Sequence, residues 1–249
     1  MGLVHDEKKK QKRAGMVEDR LPAFDLSGLQ HVKSPDGMAV LICADSVRDV
    51  LPRLSGEWCV VSDPPYGIKL DTAWLDGMNE QRFKPANTSQ DNSIRGDAGD
   101  LDLSWILNQK HRLIWGFPYI RDSHAAGWFV WDKRPGMDTE RSLGNPVEMA
   151  STTLWKGFRI VRCMWNGYYR HNGEKRVDHP TQKPLKVMAR CVEASPAGLP
   201  IIDPFMGSGS TGVACARLNR PFVGIEIEEK YYEIAVRRII TEYGSGFKV

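Results

Sequence analysis

The chain has 249 residues, of which 41% are hydrophobic and 26% charged, a composition that supplies the core of one α/β-sized domain. Its net charge of +3 and isoelectric point near 8.5 allow a polyanionic partner without demanding one. No apolar run reaches the roughly eighteen residues of a membrane span, and the five cysteines (Cys43, Cys59, Cys163, Cys191, Cys215) form no C-x-x-C pair. A membrane protein, a disulfide scaffold and a zinc protein are therefore not expected; buried free thiols, no metal and a cytoplasmic location are.

Residues 1–37 are polar and weakly periodic and predict a flexible lead-in, with no apolar core for a secretory leader. The cluster Lys8-Lys9-Lys10-Gln11-Lys12-Arg13 reads as a solvated tail or as an arm for phosphates. From residue 38 to 249 we expect a single domain. Met38–Ala44 is a continuous apolar run suited to a buried parallel strand, ending at Asp45, and Ser46–Leu54 predicts a returning helix. Trp58–Ser62 predicts the next strand, which completes a βαβ unit and leads into Asp63-Pro64-Pro65-Tyr66-Gly67. Residues 68–100 break the pattern with Gly, Asn, Ser and Pro, and predict a mobile loop beside that turn.

Leu113–Gly116 and Trp128–Trp131 read as further strands. Residues 138–178 interleave basic and aromatic side chains, a composition that suits phosphate contact and base stacking, with Tyr168 to His171 as the outward-facing group. Within this region Arg159–Trp165 predicts a strand whose Ile160 and Val161 enter the core. His179-Pro180-Thr181-Gln182-Lys183 is a loop before a helix opened by Pro184 and reaching Ala194. Leu199–Ile202 predicts a strand, Thr211–Leu218 a helix, and Pro221–Ile227 a last strand carrying Glu226.

Two of these stretches carry chemistry. At Asp63–Tyr66 two prolines forbid helix and hold the backbone extended, so a carboxylate, a stiff carbonyl-bearing turn and an exposed aromatic meet after a strand. Such groups suit an exocyclic amine on a planar base, which needs acceptors for its hydrogens and a surface to stack on. The bland alternative is a Pro-rich turn. About 140 residues on, Asp203-Pro204-Phe205-Met206-Gly207-Ser208-Gly209-Ser210-Thr211 joins a strand to a helix. Small residues there let a ligand approach the backbone, and the helix start attracts anions. No lysine precedes Ser210-Thr211, so this is not a phosphate loop of the Walker type, and the G-x-G-x-x-G spacing of dinucleotide sites is absent. Glu226, near the end of the following strand, is placed to hold ribose hydroxyls.

Taken with His179–Pro184 and Gly224-Ile225-Glu226-Ile227, the two stretches resemble the amino-group DNA methyltransferases that use S-adenosylmethionine (SAM). The order resembles the permuted subgroup in which the amine-site motif precedes the cofactor motif. Leu113–Gly116 and Trp128–Lys133 add a weaker patch, and the resemblance spans about residues 38 to 243. It implies a Rossmann-like fold, a mostly parallel twisted sheet of about seven strands flanked by helices. It implies catalysis by Asp63, Pro64, Pro65 and Tyr66. For the cofactor it implies Asp45, Asp63, Thr181, Lys183, Asp203, Pro204, Phe205, Gly207, Ser208, Gly209, Ser210, Thr211 and Glu226. Asp45 and Lys183 also read as a helix cap and a surface charge.

Asp in the first motif position favours adenine in double-stranded DNA, with cytosine N4 as the runner-up. RNA or a protein amide as substrate, and a DNA-binding relative without catalysis, stay open. The resemblance also leaves open a homodimer and a companion restriction enzyme.

Overall fold

The computed structural model describes residues 21–34, 36–66, 101–137, 145–165, 170 and 174–243. The basic cluster Lys8–Arg13, residues 67–100, and Tyr168, Tyr169 and His171 lie outside the described residues, so the expectations placed on them are not addressed by it.

In chain order the strands are β1 (Gln30–Lys33), β2 (Ala39–Cys43), β3 (Cys59–Ser62), β4 (His111–Phe117), β5 (Gly127–Asp132), β6 (Val147–Thr152), β7 (Gly157–Arg162), β8 (Ile201–Asp203) and β9 (Phe222–Glu226). The helices are α1 (Ser104–Leu107), α2 (Leu185–Ala194), α3 (Ser210–Arg217) and α4 (Glu229–Tyr243). All described strands join one sheet in the order β1-β2-β9-β8-β3-β4-β6-β5-β7. The pairs β1/β2, β4/β6 and β5/β6 are antiparallel and the others parallel. Strands β2, β9, β8, β3 and β4 therefore end at one common edge, where open α/β sheets bind ligands.

Because the central strands are covered on both faces, they read as unbroken apolar runs. Successive side chains of β3 go to opposite sides: Cys59 and Val61 to a core shared with Trp115, Met188, Val213 and Ile239 of the helical layer, Val60 to a second core with Ile42, Leu51, Ile114 and Val223. Four cysteines are buried free thiols and Cys43 is partly exposed. Among the described residues no helix is long and apolar enough to cross a membrane, and no His, Cys, Asp and Glu group could hold a metal.

Four expectations are corrected. The sheet has nine described strands rather than about seven, because β1 and β6 add reversed strands that the parallel-strand pattern does not signal. Strand β1 pairs with β2 inside the segment expected to be a flexible lead-in; its burial alternation covers only Val32, too short a pattern to read. Ser46–Leu54 forms a π-helical turn (Ser46–Val50) and a 3-10 turn (Leu51–Arg53) rather than one α-helix, with Pro52 inside the second turn. Finally, Val161 is buried but Ile160 is 57% exposed, because β7 is the edge strand and turns Phe158 and Ile160 away from the core.

Candidate active site

The two chemistry-bearing stretches leave adjacent strands. Strand β3 pairs with β8 in register Cys59 to Ile201 and Val60 to Ile202, so Ser62 and Asp203 emerge side by side. Ser62 Oγ donates to Asp203 Oδ1 at 2.6 Å, a direct tie across 141 residues of sequence. Asp203 Oδ2 accepts from Thr211 Oγ1 at 2.5 Å, and Oδ1 also accepts from the Phe205 amide at 3.2 Å. Asp203 thus knots the end of β3, the end of β8 and the first turn of α3. Burial pushes its carboxyl up to about 6, against the pull of the Ser62 and Thr211 hydroxyls.

In the glycine loop, Gly209 has φ +81 and caps α3, and a side chain there would run into Ala235 of α4 at 2.9 Å. A side chain at Gly207 would instead meet His179 Nε2 at 2.7 Å. The space a side chain would need is thus filled by a helix at Gly209 and by the His179 ring at Gly207. Ser208 and Ser210 face Arg238 of α4, which donates to the Ser208 carbonyl at 2.5 Å and to its hydroxyl at 3.0 Å. Pro204 is buried behind the loop and Phe205 packs into the second core.

Glu226 ends β9 with Oε2 accepting from the Gly207 amide and Oε1 from the Glu228 amide, both at 2.9 Å. Burial raises its carboxyl to about 7, against those two amides. Asp45, at the end of the neighbouring β2, caps the following turn by accepting from the Arg48 amide at 3.0 Å. His179 stands over Gly207 with its ring against Tyr231, 4.5 Å between centroids. Its Nδ1 accepts from the Thr181 amide at 3.3 Å, which leaves the ring proton on Nε2. Burial, then Lys183, Arg238 and Arg176, lower its pKa to about 3, so the ring is neutral. Thr181 is exposed.

Around Asp63 the picture differs. Its Oδ1 accepts from the Tyr66 hydroxyl and its Oδ2 pairs with Lys183. Lys183 is not a surface charge: its side chain is 8% exposed, it lies 3.0 Å from Glu148 Oε2, and its Nζ sits 5.4 Å from the Trp115 ring centroid. Burial opposes its charge, but Asp63 and Glu148 overcome that and hold its pKa well above the ordinary lysine value. Glu148, on β6, also pairs with Lys133. Burial works against its charge, yet Lys183 and then Lys133 bring its carboxyl down to about 2. Tyr66 stacks on exposed Tyr119 at 5.5 Å and 17°, so its ring is partly covered rather than exposed.

The structure therefore brings Asp63, Pro64, Pro65, Tyr66 and Lys183 together, with Asp203 and the glycine loop one strand away and Glu226 and Asp45 beyond them. Sequence reasoning missed Glu148, Lys133, Trp115 and Tyr119 as members of this site. Lys133 and Trp115 lay in the weaker patch, but Glu148 sits on an unexpected strand. No local pattern in the sequence marked Glu148 as a partner of Lys183.

Residues 130–237 match the DNA methylase family N6_N4_Mtase. Type II methyltransferase M2.DpnII of Streptococcus pneumoniae is 44% identical over 84 residues, covering 33% of this chain and 31% of that protein. Type II methyltransferase M.ScaI of Streptomyces caespitosus is 38% identical over 104 residues, covering 41% and 33% respectively. The chain thus spans about a third of the length of these relatives. Among solved structures, PvuII DNA methyltransferase, described as cytosine-N4-specific, aligns with a TM-score of 0.50 and 12% identity over 86% of this chain and 95% of that one. That likeness bears on the fold, which is the α/β methyltransferase fold.

Proposed function

We propose that this chain, a relative of the DNA methylases, transfers a methyl group from S-adenosylmethionine to the exocyclic amine of adenine in double-stranded DNA. The observation that carries the reading is the Ser62–Asp203 bond. It holds the Asp63–Tyr66 turn and the glycine loop at neighbouring strand ends, so an amine and a methyl donor are served from one edge of the sheet.

The residues present fit the donor. Gly207 has no side chain under the His179 ring, and Glu226 and Asp45 put carboxylates at the ends of adjacent strands, where ribose hydroxyls and an adenine amine find acceptors. Thr181 and Lys183 border the same space. When bound, S-adenosylmethionine supplies an electrophilic methyl group. The chain does the rest. A base in a duplex must be extruded at a cost of about a few kcal/mol, and stacking on an aromatic ring returns roughly 1–3 kcal/mol. Tyr66 is that ring; Tyr119, stacked on it at 5.5 Å between centroids, would give way to the base. Asp63 and the Pro64 carbonyl accept the amine's hydrogens, which localises its lone pair, and Asp63 stabilises the positive charge that develops on nitrogen.

Asp rather than Ser at the head of the turn supports adenine over cytosine. The test is incubation with labelled S-adenosylmethionine and duplex DNA, followed by digestion to nucleosides. N6-methyladenine is the expected product; label only in N4-methylcytosine would move the substrate to cytosine, and unlabelled DNA would sink the reading.

A further inference from the structure

We propose that Glu148 is a positioning residue that neutralises Lys183, so that the Asp63 carboxylate keeps its negative charge for the substrate amine. This deepens the methyltransferase reading and rests on it.

The geometry is a row of four alternating charges: Lys133, Glu148, Lys183 and Asp63. Lys183 is the least exposed of the four at 8%, against 20% for Asp63, 21% for Lys133 and 30% for Glu148, and the Trp115 ring closes one side of Lys183. Lys133 is at the far end of the row, paired with Glu148 and with its Nζ 5.1 Å from the Trp131 ring centroid.

A lysine against Asp63 is at first sight the wrong group. In the transfer the amine nitrogen forms its bond to the methyl carbon as the carbon–sulfur bond breaks and sulfur keeps the electron pair. The nitrogen then carries a positive charge until it releases one proton, to Asp63 or to water. Asp63 paired with Lys183 alone presents no net charge to that nitrogen, and the ammonium would repel it. Glu148 removes the conflict. The triplet Glu148–Lys183–Asp63 has a net charge of about −1, and the balancing Lys133 is the member farthest from the amine, where its field is weakest. Glu148 touches no substrate in this scheme; it acts through Lys183.

The test compares the wild type with Glu148→Gln, Glu148→Asp and the double variant Lys183→Met/Glu148→Gln, using kcat and KM for methyl incorporation into DNA, with melting temperature alongside. Charge balance predicts that Glu148→Gln lowers kcat about 10–100-fold with KM for both substrates shifted by less than about 3-fold, the pattern of an interaction felt mainly at the barrier. Glu148→Asp keeps the charge and recovers most of the rate. The double variant removes one charge of each sign, so it should be faster than Glu148→Gln alone. A merely structural role predicts the reverse order, since the double variant loses more buried contacts. Unchanged kcat in Glu148→Gln, or a double variant no faster than that single one, overturns the proposal. If Glu148→Gln does not fold, the double variant and Glu148→Asp decide it: both must retain measurable turnover. A wild type that leaves DNA unlabelled refutes the methyltransferase reading instead, a result distinct from any of these.

Discussion

Two pairs of acids lie at the same sheet edge and are held in opposite ways. Asp203 and Glu226, on the glycine-loop side, are buried among neutral donors: hydroxyls of Ser62 and Thr211 for one, amides of Gly207 and Glu228 for the other. Asp63 and Glu148, on the turn side, are paired with lysines. Burial opposes ionisation on both sides, yet Glu148 is brought down to about 2 while Asp203 and Glu226 rise to about 6 and 7. Depth does not decide the ionisation of Glu148, Asp203 and Glu226; the nearest cation does. Under the proposed function, the turn side would serve the charge that develops in the reaction and the glycine-loop side the hydrogen bonds to the ribose.

The sharpest way to break this contrast is to remove one acid from each side. Asp63→Ala should cut methyl transfer by about 10²–10³-fold or more, the scale of losing one preorganised group at a developing charge, while S-adenosylmethionine affinity, read by calorimetry, changes little. Glu226→Ala should do the opposite, weakening cofactor binding by about 10–100-fold, as expected for removing a buried carboxyl that holds a ligand by hydrogen bonds. If both variants lose cofactor affinity equally, the two sides are not separate.

The glycines sharpen the division within the loop. Gly209→Ala forces a side chain against the α4 backbone at a positive φ and should destabilise the fold by about 1–3 kcal/mol in chemical denaturation. Gly207→Ala is also strained, at φ +50, but its side chain meets only His179, so its stability loss should be the smaller and its larger effect should be on cofactor affinity. Equal stability losses would contradict the distinction.

The smallest effect is in pH. Asp203 and Glu226 have folded pKa values above the ordinary carboxylate range, so the stability they contribute is fully present below about pH 4 and is lost as pH rises through 6 to 7. Glu148 has the opposite sign: its contribution is present above its ordinary value of 4.5 and is lost only as pH falls towards 2. Melting temperature should therefore fall between about pH 4 and 7, and Asp203→Asn, which keeps the shape and lets the Thr211 hydroxyl rotate to accept, should flatten part of that slope. A slope identical to wild type would refute the assignment.

How far the sequence could be read follows the same physics. The doubly covered strands β2, β3, β8 and β9 are legible because burial on both faces leaves an unbroken apolar run. The Asp63–Tyr66 turn and the glycine loop are legible because proline and glycine restrict the backbone locally. Strand β6 is not, because Val147 and Glu148 at its start carry no alternation that separates it from a loop, and with it went Glu148. Ile160 misled for a related reason: an apolar side chain on an edge strand looks the same in sequence as one on a central strand. Lys183 was ambiguous because nothing local tells a buried lysine from an exposed one; only the partners, 120 residues away in the case of Asp63, make the difference.

The hydroxyl–carboxylate bond between Ser62 and Asp203 has a consequence in thermodynamic linkage. One carboxylate is shared between the strand that aims the amine-site turn and the helix start that carries the glycine loop, so a shift of either changes the energy of the other. Under the proposed function, whatever factor by which S-adenosylmethionine changes affinity for DNA, DNA must change affinity for S-adenosylmethionine by the same factor, and the shared carboxylate is a route for that coupling. Cutting the bond with Ser62→Ala should bring that factor towards one in paired titrations, leaving two sites that still bind but no longer report to each other.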